Sequence, residues 1–243
     1  MTRRKLIAGN WKMHGLSADL AWADRLSGLL AVPPRSEVLV CPPATLLSGM
    51  AARAPGWVAV GAQDCAADSG GAQTGDVSAA MLADLGARFV ITGHSERRRL
   101  HGESDAQVRA KSQAALDAGL TPLICVGETL EQRQAGEAQA VVLQQVLASV
   151  PEAAAGRVII AYEPVWAIGT GAHARPEDAD EMHRAIRSAL RDGHGDQLRI
   201  LYGGSVNPDN AAGLLAQPHI DGALVGGASL DPARFAAIIR AAG

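Results

Sequence analysis

Aromatic residues, basic clusters and long apolar runs are all scarce in this chain of 243 residues. Aromatics make up 3% of it and the net charge is −3, so no basic surface interleaved with aromatic side chains is available for nucleic acid. No apolar run approaches the ~20 residues of a membrane-spanning helix, and residues 6–8 are too short for the core of a signal peptide. We therefore expect a cytoplasmic protein with no nucleic-acid partner and no membrane association.

Cysteine is also rare, and its three positions argue against two further classes. Cys41, Cys65 and Cys125 are far apart and odd in number, which fits neither a disulfide framework nor a paired metal site. The seven histidines include no His-Glu-x-x-His pair, and no nicotinamide or flavin fingerprint is present. The sequence therefore predicts no metal and no cofactor, and it leaves the reactivity of Cys65 open.

The chain is instead rich in short apolar runs, and 48% of its residues are hydrophobic. Most of these runs are continuous and do not alternate with polar residues, as in parallel strands that helices cover on the outside. Segments with helical spacing separate them. The runs are residues 6–8, 38–41, 58–60, 89–91, 123–126, 158–161, 200–201 and 223–225, and the helical segments are 19–30, 44–53, 106–118, the later part of 129–150, 176–191, 208–215 and 232–242.

The order strand, helix thus repeats eight times, with no linker rich in proline, serine or charge. Eight such units in about 250 residues favour an α/β fold, a closed (β/α)8 barrel that takes up residues 1–243 as a single domain. A doubly wound open sheet is the alternative. It usually carries Gly-x-Gly-x-x-Gly after its first strand, whereas Gly9-Asn10-Trp11-Lys12 follows here.

Polar residues follow most of the apolar runs. In a parallel barrel all of these strand ends lie on one face, where active sites are built. Glycine pairs after the seventh and eighth strands let backbone N–H groups approach a ligand, and this is the usual phosphate site of the fold. The residues are Asn10 and Lys12, Gln63 and Asp64, His94 and Glu96, Glu128, Glu163, Gly203-Gly204-Ser205, and Gly226-Gly227.

The segment 161–171, Ala-Tyr-Glu-Pro-Val-Trp-Ala-Ile-Gly-Thr-Gly, combines a carboxylate with a hinge-like end. Pro164 stops the sixth strand because it has no N–H to give to the ladder. Glu163 at the strand tip is typical of a general base, and residues 164–171 are typical of a lid with a flexible hinge. The alternative is a surface glutamate before an ordinary loop.

Together these stretches resemble the triosephosphate isomerase family from end to end. The matching stretches are residues 9–13 (Gly-Asn-Trp-Lys-Met), 93–98 (Gly-His-Ser-Glu-Arg-Arg), 125–129 (Cys-Val-Gly-Glu-Thr), 161–171, 202–205 (Tyr-Gly-Gly-Ser) and 222–229 (Gly-Ala-Leu-Val-Gly-Gly-Ala-Ser). The resemblance implies the interconversion of dihydroxyacetone phosphate and D-glyceraldehyde 3-phosphate through an enediolate. Another phosphate-binding barrel enzyme, or a barrel kept as a scaffold, are the competing functions.

The resemblance also implies a role for each catalytic residue. Glu163 is the base, with a pKa that closure of the site raises, and His94 is a neutral electrophile. Lys12 stabilises negative charge, and Asn10 donates a hydrogen bond to the substrate. Glu96 is a second carboxylate that either moves protons or positions Lys12 and His94.

The phosphate group has its own implied set of residues. The implied ligands are Asn10, Lys12 and the backbone of Gly169, Ser205, Gly226 and Gly227, while Tyr202 and Ser205 latch the closed lid.

The Gly-rich stretch 64–77 reads by itself as a mobile surface loop. The resemblance implies instead a homodimer in which this loop reaches the partner, with Thr74 near the partner's Asn10 and Lys12. Five residues depart from the family's usual pattern and affect dimer strength and loop kinetics. They are Asp64 for Asn, Gln73 for a bulky aromatic, His14 for Asn, and Ala172 and His173 in a segment that commonly contains Lys.

Overall fold

A computed structural model describes residues 3–154, 156–167, 174–190 and 198–243. Eight parallel strands close into a barrel in chain order, which confirms the (β/α)8 architecture over the open sheet. The strands are β1 (Leu6–Asn10), β2 (Glu37–Cys41), β3 (Val58–Ala62), β4 (Phe89–Thr92), β5 (Thr121–Val126), β6 (Ile159–Tyr162), β7 (Arg199–Tyr202) and β8 (Gly222–Val225). Each includes or overlaps one of the apolar runs.

Helices surround the barrel. In the described ranges they are α1 (Trp22–Leu29), α2 (Leu47–Arg53), α3 (Ala79–Asp84), α4 (Ser95–His101), α5 (Asp105–Asp117), α6 (Leu130–Gln134), α7 (Ala138–Ser149), α8 (Pro176–Ala189), α9 (Ala211–Leu215) and α10 (Pro232–Ala241). Short 3-10 turns include Ser17–Ala21, Ala44–Leu46, Glu152–Ala154, Val165–Ala167 and Gly227–Ser229.

The helices differ from the predicted segments at a few points. Residues 130–149 form two helices, because Gly136 adopts a left-handed φ of +77° between α6 and α7. The segment 208–215 becomes helical only from Ala211. Helix α3 was not among the predicted segments; Ser78 caps it by accepting a hydrogen bond from the Met81 N–H.

The core has two layers, which explains why the apolar runs are continuous. Alternate strand residues such as Leu6 and Ala8 fill the barrel interior, while Ile7 packs outward beneath the helices. Both sets are buried, so the apolar residues continue along both faces of each strand. The interior layer is almost entirely aliphatic, with Phe89 as its one aromatic member among the described residues.

The number of paired residue positions differs from one pair of neighbouring strands to another. Strands β7 and β8 share the single paired position Tyr202 with Ala223, and β3 and β4 share two, whereas each other neighbouring pair shares three or more. At the β8–β1 junction Gly222 has a φ of +149°, and a Cβ there would lie 1.9 Å from the Leu6 carbonyl oxygen. Only glycine allows this approach.

Two kinds of feature are absent from the described ranges. None of their helices is both long enough and apolar enough to cross a bilayer. They also hold no group of three or more His, Cys, Asp or Glu side chains that could bind a metal ion.

Candidate active site

A cavity of about 550 Å³ opens at the carboxyl ends of the strands. Most of the predicted site residues line this cavity, although they are far apart in the sequence. Its lining includes Asn10, Lys12, His94, Glu163, Ser205, Gly226 and Gly227. Glu96 is not among the lining residues but contacts Lys12, while Gly169, Ala172, His173 and the lid residues 168–171 lie outside the described residues.

Glu163 directly follows β6, and its side chain is 2% exposed. Its Oε1 lies 2.9 Å from Nε2 of His94, and its Oε2 accepts a hydrogen bond of 2.9 Å from the Ser95 N–H at the start of α4. Gly203 leaves room for the side chain, because a Cβ there would approach Glu163 Cγ to 2.8 Å. A buried carboxylate is thus held beside an imidazole at the cavity wall.

His94 caps α4, and its hydrogen bonds identify the tautomer. Nδ1 accepts from the Glu96 N–H at 3.2 Å, so the ring proton lies on Nε2, which faces Glu163. A neutral imidazole with its proton on Nε2 has the donor that an electrophilic role requires.

The pKa shifts of Glu163 and His94 are opposite to those implied for a closed site, in which the Glu163 pKa is raised and the His94 ring is neutral. Burial raises the pKa of Glu163, but His94 and the Ser95 N–H lower it by more, so the net shift is downward. Burial lowers the pKa of His94, but the adjacent Glu163 carboxylate raises it by more. Both net pKa shifts depend on the contact between the Glu163 carboxylate and the His94 ring. When the carboxylate turns away, burial and the charge of Lys12 act to lower the His94 pKa.

Lys12 has an unusual backbone, with a left-handed φ of +54°. The Asn10 side chain accepts the Lys12 N–H at 2.9 Å, and Gln63 Nε2 donates to the Lys12 carbonyl at 2.8 Å. Such a conformation costs about 1–3 kcal/mol outside glycine, and these two side chains hold it. Asn10 therefore has a structural contact in addition to its predicted one, and Gln63, to which no role was assigned from the sequence, supports the Lys12 backbone.

Glu96 contacts two of the other predicted catalytic residues, Lys12 and His94. Its Oε1 accepts from Lys12 Nζ at 2.6 Å, and its Oε2 lies 3.6 Å from His94 Nδ1. Because it holds the ammonium and does not line the cavity, the geometry favours the positioning alternative over proton transfer.

The glycines after β8 form an open backbone surface. Residues Gly227–Ser229 make a short 3-10 turn, and Ser229 donates to the Gly226 carbonyl through its N–H at 2.8 Å and its Oγ at 2.7 Å. A Cβ on Gly226 would meet only Lys12 Cε, at 3.4 Å, and one on Gly227 would meet nothing within 4 Å. An anion here would lie between backbone N–H groups and an ammonium.

Glu128 is a functional candidate to which the sequence reading assigned no role. It is fully buried after β5, and its Oε1 accepts from Tyr162 Oη at 3.1 Å and Trp166 Nε1 at 2.9 Å. On the other side of the lid, Tyr202 Oη accepts the Ala174 N–H at 3.3 Å. Glu128 and Tyr202 thus contact Trp166 within the predicted lid and Ala174 after it. The signal for Glu128 was its place among the polar residues at strand ends.

The loop 64–77 stands out from the barrel, with residues 67–76 all exposed. Gln73 donates to Asp68 at 2.6 Å within the loop, and His14 lines the catalytic cavity. Cys65 at the base of the loop is 3% exposed. Burial, and secondly the charge of Asp64, raise the pKa of Cys65 to about 12, so its thiol is not a reactive thiolate at neutral pH.

Asp64 belongs to a compact group of two carboxylates and two cations. Lys111 Nζ lies 2.8 Å from Asp64 and 2.6 Å from Glu103, and Arg97 Nε lies 2.9 Å and 2.5 Å from the same two carboxylates. Burial raises the pKa of Asp64, and Glu103 raises it further against the effect of Lys111. The pKa of Glu103 is lowered despite burial, because both cations donate to it. Ionised Asp64 is thus the member of the group that the fold disfavours.

We expect Asp64→Asn to raise the melting temperature at pH 7–8, by about 2–4 °C per 1 kcal/mol gained. A carboxyl whose folded pKa is raised stabilises fully below its unfolded pKa, and this contribution is lost as pH rises through the folded pKa. The gain should therefore shrink towards pH 4. Thermal melts across this range measure it, with the exposed Asp76→Asn as the control. A lower melting temperature at pH 8, or a gain independent of pH, would contradict the expectation.

Comparison with known proteins agrees with this geometry. A family model described as triosephosphate isomerase matches residues 5–242. The triosephosphate isomerases of Xanthobacter flavus and Caulobacter vibrioides are 55% and 53% identical, over 99% of this chain and 98% and 97% of their own lengths. The crystal structure of the Bartonella henselae triosephosphate isomerase is 44% identical, with a TM-score of 0.91 and 98% of both chains covered. The chain therefore belongs to the triosephosphate isomerase family.

Proposed function

We propose that this isomerase interconverts dihydroxyacetone phosphate and D-glyceraldehyde 3-phosphate in the cavity described above, and that residues 1–243 form one domain around it. The observation that carries the proposal is the convergence of three groups on one cavity. The Glu163 carboxylate, the His94 imidazole and the Lys12 ammonium all line it, together with the glycine backbone after β8. A base, an electrophile, a cation and an anion cradle are the groups that a proton shift in a phosphorylated sugar needs.

Binding would begin at the phosphate. Backbone N–H groups of Ser205, Gly226 and Gly227 would hold it at one end of the cavity, with Lys12 alongside; the supporting observations are that all four residues line the cavity and that Lys12 Cε lies near Gly226. Gly169 in the lid would add a further N–H. The three-carbon chain would then extend towards Glu163, with Asn10 beside it.

The reaction would move one proton between neighbouring carbons. Glu163 takes the proton from C1 of dihydroxyacetone phosphate, and His94 Nε2–H donates to the carbonyl oxygen as charge develops on it. Lys12 stabilises the enediolate, and Glu163 returns its proton to C2 while the hydroxyl proton shifts between the oxygens through His94. No atom is gained or lost, and both residues end in their starting protonation states.

This sequence of steps requires Glu163 to leave its contacts with His94 and Ser95. As it leaves, it loses the donors that lower its pKa, while a closed lid would keep water out. The base would thus become stronger at the moment when it faces the substrate. Departure of Glu163 also removes the charge that raises the His94 pKa, which favours the neutral ring.

We also propose a cytoplasmic homodimer that is joined through the loop 64–77. The exposed loop and its exposed Thr74 support the proposal, and so do Met13 and Leu16, which are 94% and 76% exposed beside Lys12. Large apolar side chains in such positions are typical of an interface. Thr74 would lie near Lys12 of the partner subunit and complete its site.

One experiment tests both proposals. A linked-enzyme assay of glyceraldehyde 3-phosphate isomerisation should give a kcat/KM approaching the diffusional ceiling of about 10⁸–10⁹ M⁻¹s⁻¹, with far lower values on five- and six-carbon sugar phosphates. Specific activity should fall on dilution as sedimentation detects monomers. Isomerisation at background level would reject the function, and full activity in a monomer would reject the completed interface alone.

A further inference from the structure

The backbone around Glu163 rests against the end of β5. The Glu163 N–H donates to the Val126 carbonyl at 2.7 Å, and the Val165 N–H donates to the Glu128 carbonyl at 3.1 Å. Between these two bonds Gly127 touches the Glu163 peptide so closely that a Cβ would lie 1.7 Å from its carbonyl oxygen. Residues 126–128 therefore fix the place from which the Glu163 side chain starts.

A single side chain holds the middle of this segment. Gln145 on α7 accepts the Gly127 N–H through Oε1 at 2.8 Å and donates to the Gly127 carbonyl through Nε2 at 3.2 Å. Gly127 is the member of the segment with no side chain of its own to pack. Its peptide groups are therefore held by a helix outside the barrel.

We infer that Gln145 is a positioning residue for the isomerase reaction, which acts by fixing Gly127 and thereby the Glu163 backbone. The inference deepens the proposed function, because it requires Glu163 to be the base. Displacement of a reacting group by about 1 Å costs on the order of 10² in rate. Loss of the Gln145 contacts frees Gly127 to move by such a distance.

The alternative is that Gln145 only satisfies two backbone groups at the end of a strand. The surroundings argue that the fold does not depend on it. Arg98 Nη2 independently donates to the Cys125 carbonyl at 3.2 Å, and β5 stays paired with β6 from Leu123 to Val126. Removal of Gln145 should therefore leave the barrel intact and disturb only the segment that touches Glu163.

The sharpest test is Gln145→Glu, because it converts the contact into a pH-dependent one. The protonated carboxyl can accept from the Gly127 N–H and donate to the Gly127 carbonyl, as the amide does. Once ionised, the carboxylate has no donor. One of its oxygens then faces the Gly127 carbonyl oxygen, at about the 3.2 Å that now separates Gln145 Nε2 from that carbonyl. The ratio of variant to wild-type kcat should therefore fall by about 10-fold or more as pH rises through the pKa of the new carboxyl.

Two further variants separate positioning from general damage. Gln144→Glu places the same charge on the preceding residue of α7, which is exposed. The ratio of its kcat to the wild-type kcat should not change with pH. Gln145→Ala should lower kcat by about 10- to 100-fold at all pH values. Its KM, and inhibition by inorganic phosphate, should stay within about 2-fold because the anion cradle after β8 is elsewhere.

The inference fails if the Gln145→Glu ratio is independent of pH, or if phosphate inhibition weakens as much as kcat falls in Gln145→Ala. It also fails if both variants keep wild-type kcat in an active enzyme. Failure of the proposed function would look different, because the wild-type protein would then isomerise triose phosphates only at background level. If Glu163 were not the base, Glu163→Gln would retain activity whatever the Gln145 variants do.

Discussion

Glu163→Gln should lower kcat for triose phosphate isomerisation by about 10²–10⁴. The amide has the shape of the carboxylate but cannot accept a proton from carbon at neutral pH. Its oxygen can still accept the Ser95 N–H that now holds Glu163 at 2.9 Å. We therefore expect a folded protein that binds substrate and fails in the chemical step, so that KM changes far less than kcat.

Three measurements make this expectation specific. Thermal melts should show a small change in stability beside the loss of turnover, and Glu181→Gln, on the exposed face of α8, should keep wild-type kcat. An NMR titration should show the His94 pKa falling in Glu163→Gln, because the carboxylate that raises it is gone. Near-normal turnover in the purified variant would exclude Glu163 as the base.

Lys12→Met should lower kcat/KM by about 10²–10³, which is the usual effect of removing one preorganised group that stabilises transition-state charge. In the proposed binding mode, the ammonium faces both the phosphate and the reacting carbons. Its Nζ contacts Glu96 at 2.6 Å, and its Cε lies close to the space beside Gly226. Methionine keeps most of the length of the stem and removes only the charge.

Steady-state kinetics with inorganic phosphate as a competitive inhibitor separates the two effects of this charge. Phosphate inhibition should weaken, and kcat should fall as well, because Lys12 faces both the anion cradle and the reacting carbons. Arg53→Met, which removes a positive charge from the exposed end of α2, controls for the change in net charge. Equal kcat/KM in Lys12→Met and in the wild type would show that this lysine is a bystander.

The strands and the site face were predictable because burial constrains them on both sides. A strand such as Val38–Cys41 within β2 must be apolar throughout, so its sequence is distinctive. Once the barrel was inferred, residues that follow each strand, such as His94, had to share one face. The same reasoning predicts an anion cradle at Gly226.

Contacts made by peptide groups and by ordinary helical residues were not predictable in the same way. Gln145 is one of several glutamines along 132–145, and nothing in the sequence distinguishes the one that faces Gly127. The pKa directions of Glu163 and His94 depend on a separation of 2.9 Å, which no spacing along the chain encodes. The roles of the individual site residues stay predictions until the variants are measured.

The two strand junctions with the fewest paired positions affect how catalytic activity relates to closure of the barrel. The junctions between β3 and β4 and between β7 and β8 divide the barrel into two arcs of four strands each. One arc carries Lys12 and the Gly226 turn, and the other carries His94 and Glu163. Neither arc holds a complete catalytic set. Activity is thus a stricter gauge of ring closure than secondary-structure content, and a partly opened ring would lose catalysis first.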